Sequence, residues 1–540
     1  MTRIPTLPRR APGEGGAPEG GVGAGPDGRP RWRGFAWHPL LFAAWPVVFL
    51  YAGNVGETPL PDFLRALGIV LGLTAALYAT LTLIVRDTHR AALLVSVTVL
   101  AVLLFGHVHD LAGNPRWLLP LWLVGGVAVG VLALRIRALR EVTTVLTGVA
   151  VVLVALASIP ALQAKIPALL RERRAPAAAA ADLGGSVGAW SAGGEPRDIY
   201  YLIFDRYGSS SSLRKAFRYD NRGFLDELRR RGFTVTPDSK ANHLKTPSSL
   251  ASSLNLRYLT DLEQRYGPDT GNMLPVHELL AHHTLGRLLQ ERGYTYVHVG
   301  AWFGPTQTNP EADLNLGYDT RSDFLAELLD TTLLRVLPER LRGPSRETVH
   351  FQGALAQFRA LTAVAENPEP TFTFAHVLLP HGPFVFHHDG RRATRSQVRA
   401  WKKGRAYREQ VRFTNSQILE ALDELLAVPE DQRPIVVVQA DEGPDSKRYG
   451  RMRARGREDA FNWATATRSE LRLKFGILNA YYLPGAEAAG LYPSISPVNT
   501  WRVVFNAYFG ADLPLLEDRS YVFRDSGHVY DYTDVTARLR

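Results

Sequence analysis

Apolar residues are concentrated in the first third of the chain, in five stretches that contain no Asp, Glu, Lys or Arg. These stretches span residues 34–53, 66–85, 91–109, 117–134 and 142–164. Each is close to the roughly 20 residues that a helix needs to cross a bilayer. None has the polar stripe that a surface helix of a soluble protein carries. The pattern therefore predicts a membrane domain over 34–164 with about five transmembrane helices. The first span is the weakest, because it contains His38, Pro39 and Pro46.

Arginines between these spans indicate how the chain crosses the membrane. They cluster before the first span, between the second and third, and between the fourth and fifth, at Arg29, Arg31, Arg33, Arg86, Arg90, Arg135, Arg137 and Arg140. The loops after the first and third spans contain one arginine each, Arg65 and Arg116. Cytoplasmic loops carry the excess of basic residues. We therefore expect a multi-pass protein of the cell membrane, with a cytoplasmic N-terminus and an extracytoplasmic C-terminal part.

Composition suggests boundaries on both sides of the membrane domain. Residues 1–33 are rich in Gly, Pro and Ala and lack an apolar run, which is typical of a disordered cytoplasmic tail and not of a cleavable signal peptide. Residues 165–196 read as a flexible linker, because they are rich in Ala and Gly. The remaining residues, 197–540, are long enough for a separate domain.

Short apolar runs alternate with amphipathic stretches over 197–540, which predicts an α/β domain with a mostly parallel sheet and helices on both faces. The predicted strands are DIYYLIFD ending at Asp205, TYVHVGAW, TFTFAHVLLP at 371–380, PIVVVQAD ending at Asp441, and FGILNAYYLP at 475–484. The predicted helices include NRGFLDELRRRG, LLAHHTLGRLLQERG and one long helix over 394–427.

Polar residues follow several of these strands. Asp205 ends the first strand, Asp441 ends the fourth with Glu442 behind it, and His381 follows the third. In open α/β sheets the ligand crevice lies beyond the carboxyl ends of the strands. Three carboxylates gathered there would repel one another without a cation. The sequence therefore suggests a divalent metal site at this edge of the sheet.

The segment HLKTPSSLASSLN supplies a hydroxyl, Thr246, at the start of a predicted helix. With Pro247 as the first helical residue, Thr246 would be the N-cap, and a helix start attracts anions. A cap is the ordinary role of such a threonine, and a turn is the ordinary role of an Asp at a strand end. We interpret His376, inside an apolar strand, as a core histidine, and Lys245 as a solvated lysine that could also hold phosphate.

Charge and cysteine content exclude several classes. The chain has no cysteine, which excludes disulfides, thiolate metal sites and a cysteine nucleophile. The net charge is +10, but residues 1–185 hold 17 Lys+Arg and 10 Asp+Glu, so most of the excess accompanies the membrane spans and the tail. We find no nucleic-acid motif and expect no nucleic-acid partner. The sequence does not indicate an oligomeric state.

Four motifs, YYLIFDRYG, KTPSSLASSLN, PHGPF and VVVQADEG, resemble those of the alkaline phosphatase and sulfatase superfamily. The membrane anchor makes the resemblance closest to its membrane-anchored branch, which includes lipoteichoic acid synthases and phosphoethanolamine transferases. FGILNAYYLP and SPVNTWRVVFN also look like later segments of such proteins. The resemblance covers roughly residues 197–510 and implies an alkaline-phosphatase-like domain.

Site residues follow from this resemblance position by position. It implies that Asp205, Thr246, Asp441 and Glu442 bind the metal, that Thr246 is the nucleophile, and that His381 binds phosphate or protonates the leaving group. The family pattern has histidine at the position of Glu442. An all-oxygen set suits Mn or Mg better than Zn, so Mn or Mg is the expected cofactor, unless the change weakens or abolishes the site.

The resemblance implies a metal-dependent phosphoryl transferase or phosphodiesterase that acts on an envelope lipid or glycopolymer. Sulfatases of this superfamily use a formylglycine made from Cys or Ser, and their chemistry fits less well, because the position is Thr246, the chain has no cysteine, and no arginine follows at the expected place in TPSSL. The main alternative is a catalytically silent relative that binds an envelope partner or polymer. A transporter is a third possibility, which the absence of charged residues from the spans disfavours.

Overall fold

The computed structural model describes residues 35–172, 183–318, 322–364, 369–402, 404–453, 455–457, 460–486 and 489–540, without the side chains of residues 163–172 and 184. The predicted cytoplasmic tail, residues 1–33, and part of the predicted linker lie outside these ranges. The chain folds into a group of apolar helices followed by an α/β domain.

Five helices coincide with the five predicted membrane spans: α1 His38–Gly53, α2 Leu60–Val85, α3 Thr88–Leu111, α4 Leu118–Leu134 and α5 Leu139–Glu172. Three of them, α2, α3 and the Leu139–Leu162 part of α5, are long and apolar enough to cross a membrane. Helices α1 and α4 are apolar but shorter, with 16 and 17 residues. The structure thus confirms an apolar helical anchor, while the count of five crossings and the side of the N-terminus stay predictions.

In its described residues the α/β domain has nine strands: β1 Ile199–Phe204, β2 Thr234–Val235, β3 Thr295–Val299, β4 Leu314–Leu316, β5 Thr371–Val377, β6 Ile435–Gln439, β7 Asn479–Tyr482, β8 Tyr521–Val522 and β9 Thr533–Asp534. Seven of them form one sheet, in the order β2-β7-β6-β1-β5-β3-β4. Strands β6, β1, β5, β3 and β4 are parallel, whereas β7 is antiparallel to both of its neighbours. The predicted mostly parallel sheet is therefore confirmed.

The described helices of this domain that precede β5 in the chain are α6 Ser210–Phe217, α7 Arg222–Arg230, α8 Thr246–Leu254, α9 Asp261–Tyr266, α10 Leu274–Ala281, α11 Thr284–Gln290, α12 Asp323–Thr331, α13 Glu339–Arg342 and α14 Arg346–Val364. After β5 follow α15 Arg395–Ala400, α16 Arg405–Leu425, α17 Lys447–Arg453, α18 Arg468–Phe475, α19 Pro497–Tyr508 and α20 Thr536–Leu539.

Side chains of β1 alternate between two hydrophobic cores, as the two-residue period of a strand requires. Tyr200, Leu202 and Phe204 pack with α7, α14, α16 and α18 on one face of the sheet. Ile199, Tyr201 and Ile203 pack with α8, α10, α11 and α19 on the other face. Since all six side chains are buried, β1 is a central strand, and its carboxyl end lies in the interior of the domain.

The α/β domain rests directly on the apolar helices. Phe324 and Leu328 of α12 are buried in one cluster with Leu50 of α1 and Ala66 of α2. The Met273 N–H donates to the carbonyl of Gly56 at 2.9 Å, in the loop between α1 and α2. These contacts fix the domain at one end of the helical anchor.

Two long predicted helices are interrupted in the structure. The helix predicted over 394–427 consists of α15 and α16, and they are separated at Gly404, which has φ of 74° and therefore a left-handed backbone. The helix predicted in LLAHHTLGRLLQERG is divided between α10 and α11, because His283 is extended and caps α11 through Gly286 N–H. Both breaks are local backbone features, and the periodic spacing of apolar residues along the sequence does not reveal them.

Candidate active site

Three parallel strands bring Asp205, His376 and Asp441 together. Asp205 directly follows β1, His376 lies near the end of β5, and Asp441 lies two residues after β6. Strand β1 is between β5 and β6, and Ile203 is in register with both His376 and Gln439. One ligand atom from each of the three side chains lies within 4.8 Å of the others, and all three residues are buried.

The unpaired polar atoms of this group fit the ligands of a divalent cation. Asp205 Oδ1, His376 Nε2 and Asp441 Oδ2 are buried and have no hydrogen-bond partner among the described residues. Burial, and then the neighbouring Asp441, raise the pKa of Asp205 well above its usual value. Buried polar atoms are nearly always paired, so three unpaired atoms at one point fit the ligands of a divalent metal.

His376 is held in an orientation that suits a metal ligand. Its Nδ1 is 2.7 Å from the Thr306 Oγ1, and its Nε2 is 3.7 Å from the Asp205 Oδ2. Burial lowers the pKa of His376 to about 3, so the ring is neutral, which is the form that binds metals. With the proton on Nδ1, Nε2 is free to accept. His376 is a core histidine, as the sequence predicts, but it also faces the two aspartates.

Thr246 is the first residue of α8, so the helix begins one residue earlier than predicted. The N-cap is Lys245, which has φ of 63°, and Pro247 follows Thr246 inside the first turn. Burial raises the pKa of Asp441, and the nearby Thr246 hydroxyl and Arg206 N–H offset only part of this rise. In the same first turn of α8, Ser249 Oγ donates to the Asp441 carbonyl at 2.6 Å. Thr246 is 8% exposed. The structure therefore brings Thr246 to the aspartate, although not as a cap.

Glu442 has other partners. Its Oε1 accepts from Lys474 Nζ at 2.6 Å and from Arg206 Nε at 3.3 Å, and its Oε2 accepts from the Lys245 N–H at 3.0 Å. Glu442 and Lys474 are both almost fully buried. The structure thus places Glu442 in an internal ion pair and not in the group formed by Asp205, His376 and Asp441. Its charge is balanced by lysine and arginine.

Asp445 completes this charged network. It accepts from Arg206 Nη1 at 2.6 Å and from Lys474 Nζ at 2.9 Å. Arg206 is also 3.9 Å from Asp205, and the neighbouring carboxylates raise its pKa despite burial. Arg206 and Lys474 lower the pKa of Asp445, which burial alone would raise. Two cationic side chains therefore lie beside the group of Asp205, His376 and Asp441, and both also pair with Glu442.

We expect Lys474→Met to destabilise the protein by about 3–5 kcal/mol, because removing one partner leaves Glu442 buried with an uncompensated charge. Chemical denaturation followed by tryptophan fluorescence would measure this change. Lys402→Met is the matched control, since Lys402 is exposed and an isolated surface charge contributes less than about 1 kcal/mol. Combining Lys474→Met with Glu442→Gln should recover part of the loss. A loss below about 1 kcal/mol in Lys474→Met would contradict the ion pair.

His381 lies beside Arg206 on the same edge of the sheet. Its backbone carbonyl accepts from Gln410 Nε2 at 2.5 Å, and its Nδ1 is buried without a hydrogen-bond partner among the described residues. Burial, followed by the charges of Arg206 and Arg453, lowers the pKa of His381 well below its usual value. A neutral imidazole can donate one hydrogen bond to a phosphate oxygen but is a weak acid, so phosphate binding fits it better than protonation of a leaving group.

Sequence reasoning did not identify Arg206, Lys474, Asp445 or the role of His376. Lys474 lies in α18, more than 30 residues after Glu442, with no local pattern that links the two. A signal for Arg206 and Asp445 was present, since each lies within four residues of a predicted metal ligand. His376 lies next to Val377, whose carbonyl accepts from the Asp205 N–H at 3.0 Å, a contact that depends on strand order.

No family model and no curated protein matches this sequence. Several solved structures are similar to it. The integral membrane lipooligosaccharide phosphoethanolamine transferase A from Neisseria meningitidis has 13% identity and a TM-score of 0.37, covering 89% of this chain and 97% of its own. The C-terminal periplasmic domain of EcEptC from Escherichia coli has 13% identity and a TM-score of 0.40, covering 62% and 92%.

A protein in the alkaline phosphatase superfamily from Vibrio parahaemolyticus has 11% identity and a TM-score of 0.36, with 66% of this chain and 81% of that chain covered. Similarity at this level carries no conclusion about activity.

Proposed function

We propose that this chain is a membrane-anchored member of the alkaline phosphatase and sulfatase superfamily that transfers or hydrolyses a phosphoryl group, with Thr246 as the nucleophile. The observation that carries the proposal is the position of the start of α8, which places Thr246 beside Asp441: the Lys245 N–H donates to Glu442 Oε2 at 3.0 Å, and Ser249 Oγ donates to the Asp441 carbonyl at 2.6 Å. The Asp441 carboxyl belongs to three buried groups whose ligand atoms lie within 4.8 Å of one another. A hydroxyl beside a metal site is the arrangement that activates a serine or threonine for attack on phosphorus.

Asp205, His376 and Asp441 would hold the divalent metal of this enzyme. When bound, such an ion lowers the pKa of a neighbouring hydroxyl and offsets negative charge on a phosphoryl group. The preference for Mn or Mg rests on an all-oxygen ligand set. With His376 in place of Glu442 the set contains nitrogen, which suits zinc as well. The preference therefore remains a prediction that this ligand set does not support.

Thr246 would carry the phosphoryl group between two successive transfer steps. Thr246 Oγ forms a bond to phosphorus while the bond from phosphorus to the leaving oxygen breaks. The hydroxyl gives up one proton, and the leaving oxygen takes up one. An acceptor hydroxyl or water then attacks the phosphothreonine and releases Thr246 with its proton restored. His381 would donate a hydrogen bond to the phosphate.

The position of Thr246 favours a membrane-bound substrate. Its neighbour Lys245 forms an ion pair with Glu57 at 3.3 Å, in the loop between α1 and α2. The proposed nucleophile is therefore close to one end of the apolar helices, where a lipid headgroup or a lipid-linked glycopolymer would reach it. Tethering enzyme and substrate to the same surface raises their effective concentration. We propose that this side of the membrane is extracytoplasmic, as the arginine distribution predicts.

The catalytically silent alternative has one observation in its favour. The family pattern has histidine where this chain has Glu442. The Glu442 carboxylate accepts hydrogen bonds from Lys474 and Arg206. A metal site that relied on this position would be incomplete. The nearby His376 offers a nitrogen ligand from a different strand, so the loss of the usual histidine does not by itself remove the site.

The test is detection of a covalent adduct on Thr246. We expect the full-length protein in detergent, supplied with Mn, Mg or Zn and with phosphatidylethanolamine or phosphatidylglycerol, to carry the lipid's headgroup phosphoryl on this threonine. Mass spectrometry of the peptide that contains residue 246 would show the added mass, and treatment with a chelator before the lipid should prevent it. An unmodified Thr246 with every metal and lipid, also after rapid acid quenching, would favour the silent alternative.

A further inference from the structure

A large basic cleft lies beside the proposed active site and is not used by the chemistry described above. Its volume is about 2190 Å³, and its walls include residues of α6, α17 and α18 and the end of the chain. Eleven Lys and Arg residues line it, compared with five Asp and Glu residues. Asp445 belongs both to the cleft wall and to the ion pairs with Arg206 and Lys474, so the cleft adjoins the site.

Several of these positive charges are free to bind a ligand. Lys215, Arg218, Lys447 and Arg451 are exposed, and none of the four forms an ion pair with another residue in the described parts of the chain. Other basic residues of the wall are engaged, such as Arg448 with Glu470 and Arg519 with Glu517. Unpaired like charges within one concave surface attract anions strongly, since the concave wall focuses the field.

The size and lining of the cleft indicate the kind of anion. Pockets for small molecules typically have volumes of about 300–1,000 Å³, so this cleft suits an extended ligand. The exposed hydroxyls of Ser211, Ser469 and Ser494 offer further hydrogen bonds. Among the described residues of the lining, Phe217 is the one aromatic residue, and its ring is stacked on that of Tyr407 with the centroids 4.3 Å apart. A wall without free aromatic rings does not suit the bases of single-stranded nucleic acid.

We propose that this cleft is an accessory site for an anionic polymer with repeated phosphate groups. It would hold the polymer next to the active site through Lys215, Arg218, Lys447 and Arg451, none of which belongs to the proposed metal site. The choice of phosphate over other anions rests on the phosphoryl transfer proposed above. Binding of the polymer does not require Thr246.

The experiment measures binding of fluorescently labelled long-chain inorganic polyphosphate to the full-length protein in detergent, by anisotropy over a series of salt concentrations. The test variant combines Lys215→Ala, Lys447→Ala and Arg451→Ala. Arg218 is left unchanged because it is the C-cap residue of α6 and has a left-handed backbone, with φ of 54°. The control variant combines Arg340→Ala, Arg359→Ala and Arg399→Ala, three exposed arginines outside the cleft. Both variants lose the same charge.

We expect the test variant to bind polyphosphate roughly tenfold more weakly than the natural protein, and with a shallower dependence on salt, because fewer counterions are released. The control variant and Thr246→Ala should bind as the natural protein does. Equal weakening in both triple variants, no binding at low salt, or tighter binding of the sulfated polymer heparin would overturn the proposal. The two proposals can fail separately, because polyphosphate binding does not require Thr246. If the natural protein binds polyphosphate as expected but never carries an adduct on Thr246, phosphoryl transfer is refuted and the binding site is not.

Discussion

Thr246→Ala is expected to reduce phosphodiesterase activity by at least about 10³-fold, the order of loss found when the nucleophile of a covalent mechanism is removed. The substitution deletes the hydroxyl beside the Asp441 carboxyl, while the neighbouring Ser249 hydroxyl is already engaged with the Asp441 carbonyl at 2.6 Å. Hydrolysis of bis-p-nitrophenyl phosphate by the full-length protein, loaded with the metal that it retains, would measure the rate. The binding of that metal should persist, since three ligands remain.

Two variants separate a nucleophile from a structural threonine. Thr246→Ser keeps a hydroxyl and should keep measurable activity, with the phosphoryl adduct on the new serine. Ser253→Ala removes another buried hydroxyl of α8, one that donates to the Leu250 carbonyl at 3.1 Å, and should leave the rate nearly unchanged. If Thr246→Ala instead lowers stability by about 1 kcal/mol and retains full activity, Thr246 is only part of the helix start.

The sequence predicts the architecture well because the relevant signals are long or periodic. Runs without charge locate the five apolar helices, and short β-rich runs locate the five longer strands within a few residues. The edge strands β2 and β4 have two and three residues, too few for a pattern. The last predicted strand begins at Asn479, since residues up to Phe475 belong to α18. Local propensity does not reveal where a helix ends and the strand that follows it begins.

The site is predicted only in part, because strand order decides which side chains meet. Asp205 and Asp441 end predicted strands, and the rule of carboxyl ends in a parallel sheet correctly brings them together. Glu442 is next to Asp441 in sequence, yet it contacts Lys474 at 2.6 Å. His376 comes close to both aspartates because β5 and β6 flank β1. The spacing of residues along the chain does not indicate that His376 lies close to the two aspartates.

The two possible ligand sets give opposite expectations for metal binding. If Asp205, His376 and Asp441 hold the ion, Asp441→Asn and His376→Gln should reduce the metal content of the full-length protein from about one ion per chain to background, since few ligands remain. Glu442→Gln should retain the ion, because Glu442 pairs with Lys474 and Arg206. Elemental analysis after dialysis against Mn, Mg and Zn would measure the content and identify the preferred ion.

Thermal unfolding with added metal gives a second readout that does not depend on activity. A metal that binds only the folded protein stabilises it by about 2.7 kcal/mol at a concentration 100 times its Kd, and this stabilisation should disappear in Asp441→Asn and persist in Glu442→Gln. Asp423→Asn, at an exposed aspartate paired with Arg231, is the control for loss of a carboxylate. Loss of metal in Glu442→Gln with retention in His376→Gln would establish the ligand set that the family resemblance implies. Retention in Asp441→Asn would refute both sets, since each requires this carboxylate.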